Sequence, residues 1–224
     1  MPSAVAVCNL ALSRIGVAPI ASLEGTNLES RSCNTVYQAS VDALLESFEW
    51  PWATKRAVLP PLLQQAPGGW ANSFLLPSDC LALRDVAPDA GAGEPLAYGV
   101  PVPLVGYSEA GGYPGREPQS ATQRMPFQVE ATAAGAKVLL CDSANPTVRY
   151  TARVDASRFP PLFVQALAWH LASELALALA KKPDMHSRAI SMFESAWGRA
   201  TASSASEGQA DRPQQSPYIT ARGG

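Results

Sequence analysis

Across residues 162–180 only Glu174 carries a full charge, and the stretch is apolar nearly all round. A helix of that composition has no solvated face, so it must be covered on most sides, by a bundle or by a neighbouring subunit. Pro160-Pro161 sit where a first helical turn tolerates proline. The length is also about that of a bilayer span. Yet Gln165, His170, Ser173 and Glu174 lie near the centre, and many of the apolar positions are weakly hydrophobic Ala. An acidic residue at mid-bilayer costs about 2.5 to 3.5 kcal/mol on insertion. The expectation is therefore a buried core helix and no membrane span.

Such a helix needs partners, and the chain ends supply them. Ser3 is a good N-cap, and Ala4, Val7, Cys8, Ala11, Leu12 and Ile15 follow at one-face helical spacing. Gly16 is placed to cap that helix and Pro19 prevents its continuation. After Gly25-Thr26-Asn27 a second stripe runs through Cys33, Val36, Tyr37, Val41, Leu44, Leu45 and Phe48. Glu29, Gln38, Asp42, Glu46 and Glu49 occupy its opposite side. It stops at Trp50-Pro51-Trp52, because the residue before a proline is pushed away from helical angles. Pro183-Asp184 break the apolar helix and start a last one, with Met185, Ala189, Met192, Phe193, Ala196, Trp197 and Ala200 at helical spacing.

Between these ends proline and glycine recur every few residues and no helical stripe survives. Runs at 71–76, 81–86, 127–130, 137–141 and 147–154 are β-compatible. Ala133-Ala134-Gly135 and Ser143-Ala144-Asn145-Pro146 read as hairpin-type turns. Residues 89–123 read as a long exposed loop. The expected fold is α+β: an antiparallel bundle of the N- and C-terminal helix pairs, an inserted β-rich module and an extended C-terminal arm. The boundaries are 1–54, 55–156, 157–203 and 204–224. The arm, rich in Ser, Gly, Gln and Pro, cannot bury enough surface to fold alone.

Chemistry is hard to assemble from this chain. It holds four Cys and two His among 224 residues. Cys8, Cys33, Cys80 and Cys141 are far apart without a CxxC pair, and His170 and His186 match no zinc spacing. Four reduced, mostly buried thiols are expected, with no metal and no cofactor. No phosphate loop, GxSxG or HExxH is present, and Gly111-Gly112-Tyr113-Pro114-Gly115 lacks the lysine and helix of a nucleotide loop. His170 and Glu174 lie one turn apart and could form an acid–base pair. A packed polar pair at a bundle or subunit interface is the simpler reading. Asp42, Glu46 and Glu49 read as a solvated face, and Trp50, Trp52, Trp70, Trp169 and Trp197 as core or interface anchors. Net charge is -2 and basic residues are scattered, so no phosphate-neutralising surface is visible. At 16% charged residues the surface is easily buried against neighbours.

The order of the segments is more specific than any one of them. Cys8-Asn9-Leu10-Ala11-Leu12-Ser13-Arg14-Ile15-Gly16 is followed by Ile20-Ala21-Ser22-Leu23-Glu24-Gly25, then Glu29-Ser30-Arg31-Ser32-Cys33, Tyr37 and Asp42-Ala43-Leu44-Leu45. Phe48-Glu49-Trp50-Pro51-Trp52-Ala53-Thr54-Lys55-Arg56, Leu76-Pro77-Ser78-Asp79-Cys80-Leu81 and Phe159-Pro160-Pro161-Leu162-Phe163-Val164-Gln165-Ala166-Leu167-Ala168 complete the series. This succession resembles the head-to-tail adaptor (connector) family of tailed bacteriophages, tail tubular protein A-like, over some two-thirds of the chain. Trp50-Pro51-Trp52 and Ser40-Val41-Asp42 depart from the family's usual runs.

The resemblance implies a structural virion protein of the neck, made in the host bacterial cytoplasm. Its subunits form a ring, commonly dodecameric, beneath the portal protein, with a tail tube or nozzle protein below. DNA passes through the lumen without being read. It implies that the arm, through Arg212, Pro213, Gln214, Pro217, Tyr218, Ile219 and Arg222, reaches the portal. Trp169, His170 and Glu174 are expected in packing between subunits. Another neck or tail component, such as a head-completion or tail-terminator protein, is the alternative. A small hydrolase acting from the His170 region is the rival from another class.

Overall fold

The structure, a computed structural model, describes residues 2–62, 66–87, 125–132 and 135–207. It is mixed helix and sheet, with four α-helices and two small antiparallel sheets. The chain divides into two compact units: Met1–Ala53 with Arg153–Gly224, and Thr54–Ala152.

In the helical unit, α1 (Ala4–Arg14) begins where the Ser3 hydroxyl accepts from the Ala6 N–H at 3.2 Å. It ends in a Schellman turn: Gly16 N–H donates to Ser13 O and Val17 N–H to Leu12 O, with Gly16 at φ +72. Only a residue without a Cβ takes that angle at no cost. The α2 helix (Leu28–Ser47) starts on Asn27, whose side chain accepts from the Ser30 N–H. Ser30 is itself buried and donates to Ser22 O at 2.7 Å. A Cβ at Gly25 would fall 2.5 Å from the Ser30 hydroxyl oxygen, so this tight approach requires glycine.

The apolar segment forms α3 (Pro161–Leu175) and continues as a π-helical turn over Ala176–Ala180. Lys181 at φ 54 ends it, and Pro183 opens α4 (Pro183–Ser206). Helix α3 packs against all three other helices. It buries Phe163, Leu167, Leu171 and Leu175, each contributing about 1.5 to 3 kcal/mol of apolar burial. The buried seam of α4 runs through Ala189, Ala196, Ala200 and Ser204. Met192, expected on that seam, is instead exposed. The helix also continues past residue 203, because Ser204 still falls one turn beyond Ala200 on the buried face.

The β-rich unit holds β1 (Thr54–Val58), β2 (Asn72–Leu75), β3 (Cys80–Ala87), β4 (Gln128–Ala131), β5 (Lys137–Cys141) and β6 (Thr147–Ala152). They pair as two sheets of order β1-β6-β3 and β2-β5-β4. Phe74, Leu139 and Cys141 from one sheet share a core with Val86, Val148 and Tyr150 from the other. Strands β4 and β5 pair antiparallel, and Gly135 at φ +79 lies between them. The expected second hairpin at 143–146 is corrected. Strand β5 already has β2 and β4 on its two edges, so β6 leaves to pair with β1 and β3. The loop expected at 89–123 lies outside the described residues.

Candidate interaction surface

The side chains singled out on α3 fall into two clusters of the helical unit. Trp169 is half-buried, and the Arg14 guanidinium lies 4.1 Å from its ring centroid. Arg14 is fixed from the other side, donating from Nη1 to Gln165 O at 3.0 Å and from Nη2 to Gln165 Oε1. Burial brings the Arg14 pKa down to about 10, which still leaves it charged at neutral pH. This cation–π clamp joins the end of α1 to the middle of α3.

His170 points into the seam with α4, its ring meeting Phe193 edge-on at 5.1 Å. Its Nδ1 is buried without a hydrogen-bond partner. Burial holds the imidazole below its ordinary pKa, and the nearby Glu174 carboxylate opposes that shift. Glu174 is exposed. One turn along, the Ser173 hydroxyl donates to His170 O at 2.7 Å, and His186 Nδ1 lies 2.9 Å from Ser173 O.

The Phe193 contact opens a continuous aromatic ladder. Phe193 meets Trp197 at 5.8 Å, Trp197 meets Trp50 at 5.3 Å, and Trp50 meets Phe163 at 5.0 Å. Trp52 and Phe159 extend it. Trp50 is buried, and its indole N–H donates to Leu44 O at 2.9 Å. Edge-to-face pairs of this kind add about 0.5 to 1.5 kcal/mol each beyond burial. Trp52 and Phe163 reach a small groove of about 190 Å³ bordered by Pro160, Pro161, Leu162 and Glu207. No sequence periodicity marked the ladder as one structure, since its members come from three separate segments.

Several large apolar side chains on the same unit stay uncovered: Leu162, Leu177, Ile190 and Met192 are 36 to 52% exposed. Single exposed apolar residues are ordinary, and only a contiguous patch of a few hundred Å² marks a contact surface. A second, wider groove of about 730 Å³ is lined by Ser3, Asn34, Tyr37, Gln38, Arg153 and Asp155, among others.

The arm residues Arg212, Pro213, Gln214, Pro217, Tyr218, Ile219 and Arg222 lie outside the described residues. Among the described residues, no cluster of three or more His, Cys, Asp or Glu side chains could hold a metal ion. One helix among them, Pro161–Ala180, is long and apolar enough to cross a membrane, and half of it is buried inside the fold. No protein-family model matches the chain, and no curated protein matches it.

Proposed function

We propose that the chain is a structural assembly subunit, a head-to-tail adaptor that forms a ring between portal and tail and has no catalytic role. The observation that carries this reading is what the motif residues do in the helical unit. Asn9 donates from Nδ2 to Ile20 O at 2.9 Å and accepts from the Ile20 N–H at 2.7 Å, clamping the loop after α1. Gly16 ends α1, Gly25 admits Ser30, Cys8 and Cys33 are each buried, and Trp50 and Phe163 join in the ladder. Residues scattered over more than 150 positions thus serve one scaffold, as a shared family architecture requires.

In this proposal the four helices form an antiparallel bundle whose exposed apolar residues on α3 and α4 pack against neighbouring copies. Trp169, His170 and Glu174 contribute to or support that packing. The helical unit and the arm from Arg212 to Arg222 bind the portal, and the β-rich unit binds the tail tube or nozzle protein. The ring, commonly dodecameric in this family, encloses a DNA channel that does not read sequence. Helix α3 is a core helix of a virion protein, not a membrane span; its packing against α1, α2 and α4 supports this.

Mass measurement of the purified protein, alone and mixed with portal rings, tests the reading. Ring-sized assemblies should form with portal, and deletion of residues 207–224 should weaken them at unchanged helical content. A chain that stays monomeric and ignores portal would sink the adaptor proposal. Portal affinity that survives the deletion would remove the arm from it.

A further inference from the structure

Helix α4 ends at Ser206 with Glu207 as its C-cap, and Glu207 borders the smaller groove beside Trp50, Trp52, Phe163 and the Pro160-Pro161 pair. The chain thus leaves the described residues on the rim of an aromatic groove. Three polar groups of that groove are unused among the described residues. Ser204 is only 4% exposed, and its hydroxyl has no hydrogen-bond partner there. Trp50 spends its indole N–H on Leu44 O, but the half-buried Trp52 keeps its own free. The exposed Glu207 carboxylate meets no cation. A buried hydroxyl left unpaired is costly, so it points to an occupant.

We propose that this groove is a docking site for the Arg212-Pro213 segment of the chain's own C-terminal arm. A volume of about 190 Å³ falls below the roughly 300 to 1,000 Å³ of small-molecule sites and suits a single side chain. The walls are aromatic rings and proline, a surface on which the proline ring of an extended peptide packs with little loss of entropy. Pro213 brings no N–H that would need an acceptor. The Trp52 N–H and the Ser204 hydroxyl donate to the carbonyls of the segment. Arg212 answers the charge of the rim. The last carbonyls of α4 have no intrahelical partners, the helix dipole is negative there, and Glu207 adds a full charge. Pro217, flanked by Ser216 and Tyr218, has no basic neighbour.

Reach and direction favour the same segment. Gly208 follows the C-cap at the position where helix ends commonly reverse the chain. The six steps from Glu207 to Pro213 span up to about 20 Å, ample for a return to a groove that Glu207 itself borders. So short a tether holds the segment at roughly millimolar effective concentration, and a contact too weak for separate molecules is occupied here. The docked segment belongs to the isolated subunit and needs no portal, so the docking and the adaptor proposal stand or fall separately.

Nuclear magnetic resonance of the full chain provides the test, because each of its five tryptophans gives one indole N–H signal. Trp52→Phe, or sequential assignment, identifies the Trp52 signal. Arg212→Ala and Pro213→Ala should each move that signal, and Pro213→Ala should speed its exchange with solvent several-fold. The Trp70 and Trp169 signals should stay in place. Both substitutions lie in the arm, which leaves the folded helical unit intact for the measurement. Pro217→Ala should not move the Trp52 signal, and neither should tenfold dilution of the wild type. A Trp52 signal indifferent to Pro213→Ala would overturn the proposal. So would a shift caused by Pro217→Ala instead, which puts another part of the arm in the groove. A shift on dilution would overturn it as well, because the occupant would then be the arm of a second copy.

Discussion

Arg153 grips Asp42 through two parallel hydrogen bonds, from Nε to Oδ1 at 2.9 Å and from Nη2 to Oδ2 at 2.6 Å. The pair binds the chain, as it re-enters the helical unit, to the middle of α2. Asp42 also accepts from Gln38 Nε2 at 2.9 Å, so the carboxylate is held on both sides. The hydrogen bond to Asp42 raises the Arg153 pKa still further above neutrality.

A fork of this kind is specific to arginine, because lysine offers one point charge in place of two aligned donors. The side chains are 50% and 24% exposed, which limits the pair's worth through solvent screening. Arg153→Lys should therefore cost about 0.5 to 1 kcal/mol. A double-mutant cycle with Asp42→Asn, read by urea unfolding, measures it. A coupling indistinguishable from zero would mean that solvent screening and side-chain ordering cancel what the fork contributes.

Trp50 carries more. Trp50→Phe keeps the ring packing but withdraws the indole donor from Leu44 O, a loss of about 1 to 2 kcal/mol. Trp50→Ala also empties the centre of the aromatic ladder and should cost about 3 to 5 kcal/mol. Denaturation midpoints should fall in the order wild type, Phe, Ala. Equal losses for Phe and Ala would assign the whole effect to the hydrogen bond.

These two sites also mark what was legible in the sequence. The ends of α1 could be read at Ser3 and Gly16 because capping is local chemistry, settled within a few residues. Strand β5 could be read at Lys137–Cys141, an apolar run bounded by turn residues. Strand β1 was missed. Thr54–Val58 carries Lys55 and Arg56 and is extended because it pairs with Thr147–Thr151, far along the chain. The same distance hid the candidate surface. Trp169 was singled out from sequence, but its partner Arg14 binds Gln165 across 151 residues, and no spacing rule reaches that far. His170 and Glu174 were read as a pair from their i, i+4 spacing. The α4 ring of Phe193, which only the fold supplies, turns His170 into the seam.

Tyr150 gives a spectroscopic prediction in the β-rich unit. It is buried, donates to Asp79 Oδ1 at 3.3 Å, and its pKa is pushed up to about 12 by burial and by the Asp79 charge. Lys55 holds the other carboxylate oxygen at 2.6 Å. Because the native value exceeds the ordinary 10, the associated stability is intact below pH 10 and is lost as pH rises through 12. Tyr37 is also pushed up to about 12, mainly by burial. Ultraviolet titration of the native protein should thus show a late-ionising fraction, and Tyr150→Phe should reduce it. If Tyr150→Phe leaves that late fraction unchanged, the phenol is not held by Asp79.

His170 should make the helical unit acid-sensitive. Burial lowers its native pKa beneath the ordinary 6.5, against a smaller opposing pull from Glu174. The unfolded chain therefore binds a proton on this ring at a pH where the native state still refuses it. Stability must rise with pH in that window, and it must fall as pH drops from 6.5 toward the lower native value, levelling off below it. His170→Gln removes the titrating group while keeping a polar side chain beside Phe193. Unfolding free energies measured between mildly acidic and neutral pH should then show a shallower slope for the variant. An unchanged slope would mean that the ring binds its proton equally in the folded and unfolded chain. In that case His170 would have to turn away from Phe193 and be exposed to solvent in the folded protein.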